Sequence, residues 1–113
     1  MIVVNLALAT ICFMSQCYPA LIGVNTPVGQ FEISDRFTPL PGYGGDVLQF
    51  YETDTEWYAI HRVYLLNRNE HRDKRLRSTN VHDRVITKGC INVANEVYLK
   101  LQNCCLTESL TIE

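Results

Sequence analysis

The sequence predicts a mainly β domain with one principal α-helix near its carboxy-terminal end. Three observations carry that expectation. Short β-branched and aromatic runs recur along the chain, separated by Gly, Pro and Asn turn residues. Several of the runs alternate apolar and polar residues, the period of a half-buried strand. Apolar residues at helical spacing follow a helix-start signal at one place only, Asn95, where Glu96 sits in the first turn and Val97 and Leu101 are i and i+4.

The elements follow in order. Ile2 to Leu6 and Thr10 to Met14 read as the opening strands, then Tyr18 to Gly23. Ile2 to Met14 is apolar enough to imitate a signal-peptide core, yet no Lys or Arg precedes Arg36 and no small-x-small cleavage site follows. No export signal is visible, and Asn5 interrupts a segment already too short to span a bilayer, so no membrane span is expected. Asn25 to Gly29 reads as a turn before the alternating strand Gln30 to Ser34. A loop rich in Pro39, Pro41, Gly42, Gly44 and Gly45 comes next and is read as a flap. Asp46 to Tyr51 and Glu56 to Tyr64 are strands, and in the second Trp57, Ala59, His61 and Val63 share one face. Asn67 to Asp83 is charged and aperiodic and reads as a long loop. Arg84 to Thr87 returns to strand character, and Ser109 to Glu113 is a closing strand.

At 113 residues the chain is one domain, residues 1–113, and its 47% hydrophobic content supplies a packed core. The formal net charge of -2 excludes the basic footprint of a nucleic-acid binder. The basic run Arg68 to Arg77 is interrupted by Glu70 and Asp73 and reads as a solvated loop. The five cysteines show no zinc-ligand spacing, so no metal is expected, and their odd count leaves at least one thiol unpaired. Vicinal Cys104 and Cys105 are expected to be reduced or separately buried.

Cys90 stands apart. Thr87-Lys88-Gly89-Cys90-Ile91-Asn92 lies between a strand and a helix, so the thiol is expected near the helix amino end, where the dipole favours a thiolate. Gly89 permits a tight turn, and the Gly89 and Cys90 amides are candidate oxyanion donors. A thiol nucleophile needs a base, and His61, held on a strand, suits that work better than His71 or His82 in the charged loop.

The six-residue segment Thr87 to Asn92 resembles the Ser/Thr-His-Gly-Cys-aliphatic-Asn/Arg signature of YkuD-like L,D-transpeptidase catalytic domains. Thr26-Pro27-Val28-Gly29-Gln30-Phe31 resembles that family's turn before a strand, and Ile60-His61 its upstream Ile-His. Arg62 departs from the usual Gly or Ser, Lys88 stands at a position more often His, and the interval from His61 to Thr87 is longer than usual.

The resemblance implies a small β-sandwich or open barrel-like fold with one main helix after the cysteine. It implies a Cys90 thiolate attacking the diaminopimelate–D-alanine bond of a peptidoglycan stem peptide, with His61 as base and the Arg62 carbonyl orienting it. An amine acceptor, diaminopimelate or a protein lysine, would give transpeptidation, and water L,D-carboxypeptidation. Action at the bacterial cell wall or periplasm follows, with no cofactor. Arg84 and Arg62 are candidate partners for a substrate carboxylate. Tyr43 is a candidate stem-peptide contact, Asn92 an organiser of the turn, and Trp57 a core residue. The alternative from another class is a degenerate, non-catalytic wall-binding module.

Overall fold

Two sheets hold the architecture. A computed structural model describes residues 1–113. The first sheet is five-stranded in the order β3-β2-β1-β11-β5, from β1 (Ile2–Asn5), β2 (Thr10–Phe13), β3 (Gln16–Pro19), β5 (Gly29–Glu32) and β11 (Ser109–Ile112). The second is four-stranded in the order β10-β8-β7-β6, from β6 (Ser34–Phe37), β7 (Asp46–Glu52), β8 (Trp57–Arg62) and β10 (Ile91–Val93). A short parallel pair, β4 (Ile22–Gly23) with β9 (Val85–Thr87), stands beside them. No sheet closes into a barrel.

The period-2 pattern explains which faces meet. Ile2 and Val4 of β1 and Leu110 and Ile112 of β11 turn inward, and β1 runs parallel to β11 with Ile2 opposite Leu110. They join Leu48, Phe50, Tyr58, Ile60, Ile91 and Val93 of the second sheet in one core cluster. Fully burying each such aliphatic side chain contributes about 1.5–3 kcal/mol. The opening strands are integral to this core, since β1 lies between β2 and β11.

The helix α2 (Asn95–Cys104) covers the core with Val97, Tyr98 and Leu101. It starts one residue before the expected place. Ala94 occupies the cap position with no side-chain cap bond, because β10 feeds almost directly into the helix. No helix is long and apolar enough to cross a membrane.

The charged segment is the main correction. It holds a 3-10 turn at Arg68–Glu70, the helix α1 (Arg72–Arg77) and a second 3-10 turn at Val81–Arg84. Side chains cap backbone groups throughout: Asn67 accepts from the Asn69 amide and Asn80 from the His82 amide. Leu76 is its one buried apolar side chain, so apolar periodicity has nothing to report there.

The cysteines pair except one. Cys12 and Cys17 face each other across the β2–β3 hairpin and are disulfide-bonded. Cys104 and Cys105 are bonded too, contrary to the expectation that both would be reduced or separately buried. Cys104 ends α2 and Cys105 leaves helical geometry, which brings the neighbouring sulfurs together. Cys90 is the free cysteine.

Candidate functional site

Strand β10 runs parallel to β8 in a register that sets Ile91 against Ile60 and Asn92 against His61. Carried back one residue, the register brings Cys90 beside Ala59. Side chains alternate along strands, so Asn92 and His61 share the face that β8 also lines with Trp57 and Ala59, while Cys90 immediately precedes β10 with its thiol against the Ala59 backbone and near Tyr43. At about 3.3 Å per residue, Cys90 lies roughly 7 Å along the ladder from Asn92. The sequence placed Cys90 at the amino end of a helix. The structure instead inserts the three-residue strand β10 between Cys90 and α2, so no helix dipole acts on the sulfur.

The turn before Cys90 is held by two threonines. Thr87 Oγ1 donates to the Cys90 carbonyl at 2.6 Å. Thr26 Oγ1 donates to the Gly89 carbonyl at 3.0 Å while accepting from the Gly23 amide at 3.0 Å. The turn at Thr26 is thus hooked onto the cysteine turn, 63 residues away in sequence. Gly89 is needed for space, not for an unusual dihedral. A Cβ there would stand 2.4 Å from the Tyr58 ring, well inside van der Waals contact.

His61 is 2% exposed and fully engaged. Its Nδ1 lies 2.6 Å from the Arg62 carbonyl oxygen. A carbonyl only accepts, so Nδ1 carries the proton and Nε2 presents a lone pair. That lone pair faces Asn92 Nδ2 at 3.3 Å. The Asn92 amide orientation follows from its other end, where Oδ1 accepts from the Tyr64 amide at 3.1 Å and from Arg72 Nη1 at 3.0 Å. Arg72 in turn donates through Nε to Glu70 Oε1 at 2.9 Å. A continuous chain of polar groups therefore runs from Glu70 through Arg72, Asn92 and His61 to the Arg62 carbonyl. Asn92, read from the sequence as a turn organiser, instead sits fully buried against the imidazole. Thr87 organises the turn.

Electrostatics keep the pair neutral at rest. Burial pushes the His61 pKa down to about 4; the bond to the Arg62 carbonyl opposes this and the Arg72 charge adds to it. Burial likewise raises the Cys90 thiol above its ordinary value, against the Ala59 backbone and the Arg72 charge. The expected resting thiolate is therefore corrected: desolvation outweighs the favourable partners, and the thiol keeps its proton until a base removes it. The hydrogen bonds of His61 go to Arg62 and Asn92, not to the sulfur.

The Gly-rich loop does cover this face. The Tyr43 ring packs edge-on to the His61 imidazole, centroids 4.7 Å apart, and also touches Tyr64 and Trp57. Burial raises the Tyr43 pKa, and the neighbouring Cys90 adds to it. Trp57, expected in the core, is only half-buried and lies against this loop. Arg62 pins the loop from beside β8. Its Nη1 donates to the Tyr43 carbonyl at 3.2 Å and forms an ion pair with Asp46 at 2.9 Å, and its guanidinium stacks over Tyr98 at 4.2 Å. A Cβ on Gly44, whose φ is +80°, would come within 2.9 Å of that guanidinium.

Two arginines expected at a substrate carboxylate are engaged within the fold. The Arg62 side chain spends Nη1 on Asp46 and the loop carbonyls and lies over Tyr98. Arg84 is 7% exposed, and its guanidinium donates to the carbonyls of Ala9 at 3.2 Å, Leu8 at 2.8 Å and Ser78 at 2.5 Å. Three neutral acceptors organise it inside the fold. Arg72, hidden among the other basic residues of its segment, is the arginine that reaches the site. Its contact with Asn92 spans 20 residues and has no local sequence signal.

No protein-family model and no curated protein matches the sequence. Among solved structures, Bdellovibrio bacteriovorus Bd1075 superposes with a TM-score of 0.61 over 100% of this chain and 47% of that one, at 19% identity. That likeness concerns the fold alone, and the chain spans about half the length of the protein it matches.

Proposed function

We propose that the chain is a cysteine acyltransferase acting on peptidoglycan stem peptides at the bacterial cell wall, an L,D-transpeptidase of the YkuD-like kind. The observation that supports this reading is the β8–β10 pairing, which brings the turn carrying the one free thiol beside the strand that holds His61, an imidazole whose Nδ1 proton is anchored on the Arg62 carbonyl. The spatial joining of Thr26 to Gly89 adds support, because it links two of the segments on which the resemblance rests.

In the proposed cycle His61 Nε2 exchanges its bond to Asn92 for the Cys90 thiol and takes the proton as the sulfur attacks the carbonyl of the diaminopimelate–D-alanine bond. The Gly89 and Cys90 amides receive the oxyanion. Collapse breaks the C–N bond, His61 returns its proton to the departing amine, and D-alanine leaves a thioester on Cys90. An amine acceptor then attacks, its proton passing to His61, and the thiolate is expelled. Water in that role gives L,D-carboxypeptidation.

The experiment is incubation with a diaminopimelate tetrapeptide, with and without an amine acceptor, followed by mass spectrometry. D-alanine release that falls by about 10³-fold or more in Cys90→Ala is the expected result. Release that persists in that variant overturns the assignment. A non-catalytic wall-binding module is the second reading, favoured by the burial of His61 and the occupation of its Nε2 by Asn92. Absence of release from the wild-type chain, together with retained binding to wall material, selects it.

A further inference from the structure

Resting on the acyl-transfer reading, we propose that Arg72 recognises the free terminal carboxylate of the donor peptide and thereby confines attack to its last peptide bond. Of the other arginines first considered for that task, Arg84 is bound inside the fold by three carbonyls, and Arg62 directs its guanidinium to Asp46, the loop carbonyls and Tyr98 and not to Asn92. Arg72 differs in placement. Its Nη1 bonds Asn92, the residue that touches His61, and its guanidinium lies over the Tyr64 ring at 5.4 Å. Its positive charge is felt at Cys90, His61 and Tyr43.

The donor count leaves room for a ligand. A guanidinium offers five N–H groups. Nε and one Nη2 hydrogen go to Glu70, at 2.9 and 3.4 Å, and one Nη1 hydrogen goes to Asn92. One N–H remains on each terminal nitrogen. An open depression lined by Leu65, Asn67, Arg68, His71, Arg72 and Asp73 adjoins Arg72. Glu70 is the one carboxylate bonded to Arg72, and a ligand carboxylate on the two remaining N–H groups shares the guanidinium with it.

The chemistry of the donor fits this placement. In a peptide ending in a free carboxylate, that carboxylate lies within about 4 Å of the last peptide carbonyl carbon, since consecutive Cα atoms are about 3.8 Å apart. A guanidinium joined to the base through Asn92 meets that charge only when the last bond is presented. An internal bond brings a neutral amide instead and leaves the two N–H groups unmatched.

The test compares alkylation of Cys90 by iodoacetate, which carries a carboxylate, and iodoacetamide, which does not. Both displace iodide from the same carbon, so their rate ratio reports anion recruitment and needs no catalytic activity. Arg72→Gln is expected to lower the iodoacetate-to-iodoacetamide ratio by about tenfold, the worth of one charge-assisted hydrogen bond. An unchanged ratio in the folded variant overturns the proposal. Should Arg72→Gln fail to fold, Glu70→Gln serves: removing the competing carboxylate is expected to raise the ratio, and no change refutes the proposal equally. D-alanine release from a tetrapeptide with a free terminus against its carboxamide separates the two layers of the argument. Wild-type chain that shows the alkylation preference but releases nothing leaves the anion site standing and removes the acyl-transfer reading. Release with the same carboxylate preference in wild type and Arg72→Gln does the opposite. Recognition by Arg72 also requires its loss to raise KM for the free-terminus substrate by a larger factor than for the carboxamide.

Discussion

The charged segment between β8 and β9 ends in two arginines with opposite duties. At its far end Arg84 turns inward and donates to Leu8, Ala9 and Ser78, fastening the segment to the β1–β2 turn. Nearer its start Arg72 donates to Asn92 and Glu70 and lies over the Tyr64 ring. The two side chains carry the same group and the same charge. What separates them is the acceptors they meet. Backbone carbonyls cannot move or exchange partners without disturbing the fold, so Arg84 is a fixture. Asn92 is a side chain that also touches the imidazole, so Arg72 is coupled to a group with chemistry to perform.

The largest effect that bears on this contrast is Arg84→Ala. It leaves buried carbonyls without their donor and is expected to lower unfolding stability by about 4 kcal/mol, measured by urea denaturation. The alkylation ratio of the folded fraction should not move, and a shift like that of Arg72→Gln would erase the distinction between the two arginines.

Acid comes next and acts on the Arg72 end. Unfolded His61 protonates near its ordinary value of 6.5, whereas the buried residue resists until about 4. Between those values the unfolded chain holds the extra proton, so stability falls as pH drops, by about 3 kcal/mol in all. Thermal melts from pH 7 to 4 should show this slope undiminished in Arg84→Ala and flattened in His61→Gln. An equal slope in His61→Gln would locate the acid sensitivity elsewhere.

The smallest effect is Arg77→Ala. Its 3.9 Å pair with Asp73 joins side chains 71% and 59% exposed, so solvent screens it and the loss should stay under about 0.5 kcal/mol. A larger change in the melting midpoint would mean that α1 depends on its surface charges, and that the Arg72 end is held less by the site than by its own helix.

Much of the site was legible because its strands are periodic. The alternation through Trp57, Ala59 and His61 assigns the imidazole to the face that the Gly-rich loop covers with Tyr43. The strand Ile91–Val93 escaped notice because three residues are too few to display a period, and they run straight into the helix. Its absence from the reading is what misplaced Cys90 at a helix end and made a resting thiolate look natural. Thr87 holds the turn expected of Asn92 for a related reason: which of two polar residues caps a turn depends on a register that neighbours in sequence do not encode. For Arg62 and Arg84, residue type suggested a ligand, while the partners that occupy them lie on other elements.

Residue order alone determined that this chain is β-rich, where its turns fall, that one cysteine must lack an intrachain partner, and which histidine is rigidly mounted. Those properties arise from dihedral preference, alternation and parity, all of which act over a few neighbouring positions. Tertiary structure decided which cysteine is free, that the thiol and imidazole rest uncharged, and that an arginine from an aperiodic segment reaches the imidazole through Asn92. These depend on desolvation and on hydrogen bonds between groups brought together by strand pairing, and no local pattern contains them.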